Sequence, residues 1–201
     1  MGKIVILDTG CCNLTSLRAA VVRLGVEPVV TREAQVASGA SRLFVPGVGT
    51  AKAAMRELQN RGLIDAIKTA SCPVLGICLG MQLLGRQSEE TGGVPMLGII
   101  DAPVRELNTG GLPLPHMGWN RVRALDGDPL FAGMNQKAGD YFYFVHSYAY
   151  PVGTYTIATA EYGETFSAAV RSGLFWGVQF HPERSGKSGA KLLENFVKGA
   201  L

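Results

Sequence analysis

The chain has 201 residues, 47% of them apolar and 17% charged, with a formal net charge of +3 at pH 7. A chain of this length buries roughly 70% of the surface its unfolded form exposes, so a self-sufficient core is expected and a disordered or low-complexity polymer is excluded. Its 19 Lys and Arg are scattered among 16 Asp and Glu, which leaves no basic stripe for nucleic-acid phosphates, and no stretch approaches the ~20 apolar residues that cross a bilayer.

The opening "MGKIVILDTG" holds too short an apolar run for a signal-peptide core. A soluble cytoplasmic protein with neither a nucleic-acid nor a membrane partner is the expectation. The cysteines are Cys11, Cys12, Cys72 and Cys78, a poor disulfide framework in a chain this long. Adjacent Cys11 and Cys12 lack an accompanying CxxC or HxxC pair, so no metal site is expected.

"KIVILD" (3–8) is a near-continuous β-branched run, as in a strand buried on both faces. Leu14, Leu17, Val21 and Leu24 then recur at helical spacing, and Gly25 stands where a C-terminal cap belongs. "EPVVT" (27–31) and "RLFVPG" (42–47) read as strands, "AKAAMRELQNRG" and "LIDAIKTA" as helices, and "PVLGI" as a further buried strand followed by a helix over "LGMQLLG". Such alternation predicts an α/β fold, a mainly parallel sheet with helices on both faces and functional groups at the carboxyl ends of its strands. Farther on, "WNRVRAL", "YFYFVHSYAY", "YTIATAEY", "FSAAVR" and "LFWGVQF" read as antiparallel additions to the same sheet. The closing "SGAKLLENFVKGAL" predicts a helix with Ser188 as N-cap and Leu192, Leu193, Phe196 and Val197 on its buried face. With no linker or repeat in view, residues 1–201 read as one domain.

In "GICLG" the strand ends at Ile77, Cys78 takes the bend, and a helix begins, the layout of a nucleophile elbow with cysteine for serine. Gly76 and Gly80 permit the sharp turn, the helix start favours a thiolate, and the Leu79 amide is placed to donate to an oxyanion. Taken alone, Cys78 fits inert packing as well as catalysis. A cysteine nucleophile needs a base, and the three histidines are His116, His146 and His181. His181 lies in "VQFHPERS" after a buried strand pattern; extended geometry would put Glu183 on its side and let it orient the imidazole. A capped turn with a surface carboxylate is the plain alternative. "VPGVGT" (45–50) supplies amides at Gly47, Val48 and Gly49 that could complete an oxyanion hole with Leu79, or it is simply a glycine-rich turn. It lacks the fuller phosphate-binding patterns.

Together "PGVGT", "GICLGMQ" and "HPERS" resemble the class I glutamine amidotransferase family. "PHMGWN" (115–120), "YFYFVHSYA" (141–149) and "ILDTGCCNLTSL" extend the resemblance, over essentially the whole chain, to the glutaminase subunits of imidazole glycerol phosphate synthases. The resemblance implies a flavodoxin-like sheet, a Cys78, His181, Glu183 triad, and no cofactor. It further implies hydrolysis of L-glutamine to glutamate and ammonia through a thioester. The ammonia would pass to a cyclase subunit, a (β/α)8 barrel bound as heterodimer, for a step of histidine biosynthesis that yields imidazole glycerol phosphate and an aminoimidazole carboxamide ribotide. Val48 and Leu79 match the oxyanion donors; Gly47, Gly49, Gln82, Glu90, Ser147 and Tyr148 match positions around the glutamine head group. Asn13, Met117, Trp119, Tyr143 and Arg184 match the partner interface, with arginine at 184 where relatives often carry lysine. The loop at Val48 would need a backbone reorientation before it donates, so little activity is expected without the partner. The rivals are a glutaminase serving another synthase, a stand-alone cysteine hydrolase of similar fold, and a binding domain that has lost activity.

Overall fold

In the computed structural model, which describes residues 2–10, 14–125, 127–135 and 138–201, the apolar runs of the N-terminal half become strands joined by helices. These are β1 (Ile4–Leu7), α1 (Leu14–Val22), β2 (Val29–Thr31), α2 (Ala34–Ser38), β3 (Arg42–Gly47), α3 (Ala51–Asn60), α4 (Leu63–Lys68), β4 (Val74–Cys78) and a single helical turn, α5 (Leu79–Gln82). Beyond them come β5 (Gly85–Ser88), β6 (Val94–Pro95), β7 (Ile100–Glu106), β8 (His116–Ala124), β9 (Asp140–His146), β10 (Tyr148–Ala149), β11 (Thr156–Tyr162), β12 (Glu164–Ser172), β13 (Phe175–Val178) and α6 (Gly186–Lys198). Among the described residues no helix is long and apolar enough to cross a membrane.

The large sheet runs β2-β1-β3-β4-β13-β12-β11-β8-β9, with β2 to β13 parallel and the rest antiparallel. Alternation along its buried strands divides the core in two. Ile4, Ile6, Phe44, Leu75 and Ile77 face one side with α1 and α6, whose Leu17, Val21, Leu192, Leu193 and Phe196 cover them. Val5, Leu7, Leu43, Val45 and Val74 face the other, with Leu58 of α3 and Ile67 of α4. Gly25 takes φ +81° just past α1, as a left-handed C-terminal cap does.

Four expectations are corrected. The C-terminal strands do not all join one sheet: β10, β7, β5 and β6 form a second, four-stranded sheet, so "YFYFVHSYAY" is split between the two. The helix after Cys78 stops after one turn because Leu83 and Leu84 give their carbonyls to the amides of Leu97, Ile99 and Ile100, a tertiary pairing that overrides local helix formation. Ser188 lies inside α6 and donates to Asp140 Oδ1 at 3.2 Å, while Ser185 takes the N-terminal position. The segment after β13 is not extended at Glu183: residues Pro182–Arg184 form a 3-10 turn with Pro182 at its start.

Close backbone approach fixes the elbow. A Cβ on Gly80 would lie 1.7 Å from Val45 O, and one on Gly76 would lie 2.5 Å from Gly80 O. Gly80→Ala is therefore expected to lower the unfolding free energy by about 3 kcal/mol in guanidinium denaturation. Gly39→Ala, whose nearest new contact is 3.8 Å away, should stay within about 1 kcal/mol of the parent.

Candidate active site

Three parallel strands, β3, β4 and β13, lie side by side, and their register pairs Gly47 with Cys78 and Ile77 with Val178. Their carboxyl ends therefore deliver the 47–50 loop, Cys78 with Leu79, and the segment that follows Val178 to one place. Cys78 adopts φ 55°, ψ −113°, a conformation that a residue with a Cβ rarely holds, and it is 7% exposed. Leu79 opens α5, so its amide has no carbonyl partner within the helix.

His181 and Glu183 come together through the turn rather than along a strand, with Nδ1 and Oε1 2.8 Å apart. The His181 backbone is pinned from two sides. Its N–H donates to Tyr143 O at 2.9 Å, and its carbonyl accepts from Ser185 Oγ at 2.6 Å. The same hydroxyl accepts from Tyr143 N–H at 3.0 Å. His181 Nε2 and Glu183 Oε2 are buried and make no hydrogen bond among the described residues. Burial works against the imidazolium, but the Cys78 sulfur and the Glu183 carboxylate outweigh it and push the His181 pKa from 6.5 up to about 10.

A polar chain leads away from the cysteine. The Cys78 thiol approaches Val145 O at 3.8 Å and accepts a long contact from Gln179 Nε2, also at 3.8 Å. Gln82 Nε2 donates to Gln179 Oε1 at 3.1 Å and to Tyr148 O at 2.8 Å. Gln179 and Ser185 were not singled out from the sequence. A glutamine inside the apolar run "FWGVQF" was the available signal for the first.

Val48, Gly49, Cys78, Leu79, Gln82, Glu90, Ser147, Tyr148 and His181 all line one cavity of about 270 Å³. Gly47 and Glu183 instead line a smaller neighbour of about 130 Å³, which shares Val48, Val145 and His181 with the first and reaches Arg184. Glu90 is also engaged structurally, for its Oε2 accepts from the Ala51 amide at 2.5 Å, where a carboxylate complements the start of α3. Among the expected interface residues, Met117 and Trp119 are 62% and 56% exposed rather than packed in the core. Tyr143 meets the Trp119 ring edge-on at 6.2 Å, and the Arg184 guanidinium stands 5.5 Å from the Tyr143 ring centre. Asn13, Cys11 and Cys12 lie outside the described residues.

The arrangement places a thiol, an imidazole backed by a carboxylate, and the backbone of Val48, Gly49 and Leu79 around one small cavity, which is equipment for acyl transfer. Comparison with known proteins agrees. The family Glutamine amidotransferase class-I matches residues 5–200. The imidazole glycerol phosphate synthase subunit HisH of Salmonella typhimurium is 60% identical over 196 residues, covering 98% of this chain and 99% of its own. The subunit of the same name from Escherichia coli K12 matches with the same identity and coverage. A crystal structure of a glutamine amidotransferase superposes with a TM-score of 0.74 at 19% identity, covering 97% of each chain, a likeness of fold. The chain belongs to the class I glutamine amidotransferases and, within them, to the family of imidazole glycerol phosphate synthase HisH subunits.

Proposed function

We propose that this chain is the glutaminase subunit of an imidazole glycerol phosphate synthase, hydrolysing L-glutamine to L-glutamate and passing the ammonia to a cyclase subunit. The observation that carries the reading is the convergence of three adjacent strand ends, with Cys78, His181, Val48 and Gly49, on the 270 Å³ cavity. The partner is a (β/α)8 barrel, the pair forms a heterodimer in the cytoplasm, and the chain acts as one domain.

In this reading His181, whose raised pKa keeps its imidazole charged, already holds the thiol proton on Nε2, and Cys78 Sγ attacks the carboxamide carbon. The carbonyl electrons move to oxygen, where the Leu79 amide and the reoriented Val48 amide donate. The C–N bond breaks, His181 returns the proton to nitrogen, and ammonia leaves a γ-glutamyl thioester. Water gives a proton to the now neutral His181 and attacks the same carbon, the C–S bond breaks with its electrons going to sulfur, and glutamate is released, restoring the charged imidazole beside Cys78 Sγ. Glu183 orients the imidazole and supports its charge. Glu90 suits the substrate ammonium, and Gln82, Ser147 and Tyr148 suit the remainder of the head group. The 130 Å³ cavity, lined by Leu17, Pro46, Ile77 and Val145 and reaching Arg184, gives uncharged ammonia an apolar way toward the docking face of Met117, Trp119, Tyr143 and Arg184.

Cys78→Ala is expected to abolish glutamine-dependent product formation in the complex and to spare the ammonia-dependent reaction; continued use of glutamine would remove Cys78 as nucleophile. Glutamate release should be slow for the chain alone and rise by roughly 10² to 10³ when cyclase and its substrate are added, the range that one oxyanion donor commands. Equal rates in all three mixtures would sink the switching role of Val48. The His181 pair also has a pH signature. Its folded pKa, about 10, lies above the free value of 6.5, so its stabilisation is complete below pH 6.5 and is lost as pH rises through 10. The stability deficit of Glu183→Gln, measured by denaturation, should be largest near pH 6 and shrink toward pH 10.

A further inference from the structure

Two of the three histidines have no part in the chemistry above, yet both are buried, His116 at 3% and His146 at 6% exposure. His116 stacks on Tyr162 at 4.1 Å and on Phe144 at 4.8 Å. A phenyl ring would fill that slot without the cost of burying two ring nitrogens. Each nitrogen is instead committed. Asn120 Oδ1 accepts from the Arg121 amide at 2.7 Å, which fixes the Asn120 amide so that its Nδ2 donates to Glu161 O at 2.7 Å and to His116 Nε2 at 3.2 Å. His116 Nδ1 and His146 Nε2 are 2.9 Å apart, and His146 Nδ1 lies 3.0 Å from Tyr148 O.

A carbonyl only accepts, so the proton on His146 sits at Nδ1 and its Nε2 must accept. His116 therefore donates from Nδ1 and accepts at Nε2. Both rings are neutral, each with its proton on Nδ1, and the sense of every bond from Asn120 to Tyr148 is determined. Burial favours the same state, holding His116 down to about 4 and His146 to about 3, with the Tyr148 carbonyl opposing and the neighbouring His116 and His181 adding to the effect at His146.

The end of this relay is the wall of the cavity. Tyr148 O accepts from both His146 Nδ1 and Gln82 Nε2, and Gln82 in turn holds Gln179, which reaches Cys78 Sγ. Resting on the reading that the cavity takes glutamine, we propose that His116 and His146 are positioning residues for that substrate: an uncharged, one-directional hydrogen-bond relay that sets the Tyr148 carbonyl and, through it, Gln82. The relay begins on β8, the strand whose Met117 and Trp119 form the exposed face.

The test uses the full chain in complex with the cyclase subunit. His116→Phe keeps a ring between Phe144 and Tyr162 and deletes the donor to His146; His116→Asn puts an amide nitrogen near the place of Nδ1. The first is expected to raise the glutamine KM about tenfold with kcat within about twofold, and the second to recover KM to within about threefold, as for one misplaced hydrogen-bond partner. A His116→Phe KM unchanged from the parent, or an Asn variant as impaired as Phe, overturns the proposal. A parent complex that consumes no glutamine overturns the reading of the cavity instead, so the two failures are distinct. Nitrogen-15 spectra of the unmutated chain give a readout that needs no variant. Both rings should show the Nδ1–H tautomer, and both resonances should move when L-glutamate is added. An Nε2–H tautomer at either ring, or resonances indifferent to glutamate, also overturns it.

Discussion

Cys78 is held at φ 55°, ψ −113°, and the surrounding backbone is packed so that it has nowhere else to go. A strained residue of this kind costs of order 1–3 kcal/mol and persists only where its neighbours over-determine it. Here they do. Every residue of β4 is buried, β3 and β13 pair with it on both sides, and Gly80 packs against Val45 O at a distance that excludes any side chain. The bend leaves the proposed nucleophile buried yet on the cavity wall, at the level of the sheet where neighbouring strands also end.

The same site carries a second cost. Among the described residues His181 Nε2 and Glu183 Oε2 are buried polar atoms without a hydrogen-bond partner, and such a group costs roughly 1–3 kcal/mol. Glu183 lies on the 3-10 turn and His181 caps its start, where the backbone is tied to Tyr143 and Ser185. Rigid backbone ties offset the unpaired side-chain atoms and leave them aimed for chemistry rather than free to find partners by moving. The engagement of Glu90 at the start of α3 has a related effect, because α3 begins directly after the loop that carries Val48. A ligand drawing on Glu90 acts on the anchorage of that loop.

Much of this was legible from residue order. Uninterrupted β-branched runs marked β1 and β3, helical spacing marked α1 and α6, and the glycines around Cys78 marked the elbow. What escaped was set by partners distant in sequence. "GRQS" and "IDAPVRE" alternate weakly and the second contains a proline, so β5 and β7 emerge only through their pairings in the small sheet. The helix after Cys78 is cut short by carbonyls claimed by residues 97, 99 and 100. Short α2 has no apolar stripe long enough to be seen. Cys78, His181 and Glu183 could be nominated because chemistry restricts residue type, whereas Gln179, Ser185 and the joined pair His116 and His146 are tied in by hydrogen bonds that no spacing announces.

β9 is the last strand of the large sheet, and an open edge of this kind invites another chain to pair with it. Its outward amide and carbonyl at Tyr143 are taken by Ser185 Oγ and His181 N–H, so the segment that carries the imidazole also blunts the edge. Protection of the sheet edge and the proposed chemistry are thereby lodged in one short stretch of chain. A descendant that lost the need for glutamine could not discard that stretch without exposing an adhesive strand, and the reactive turn would outlast its chemistry as a guard against aggregation.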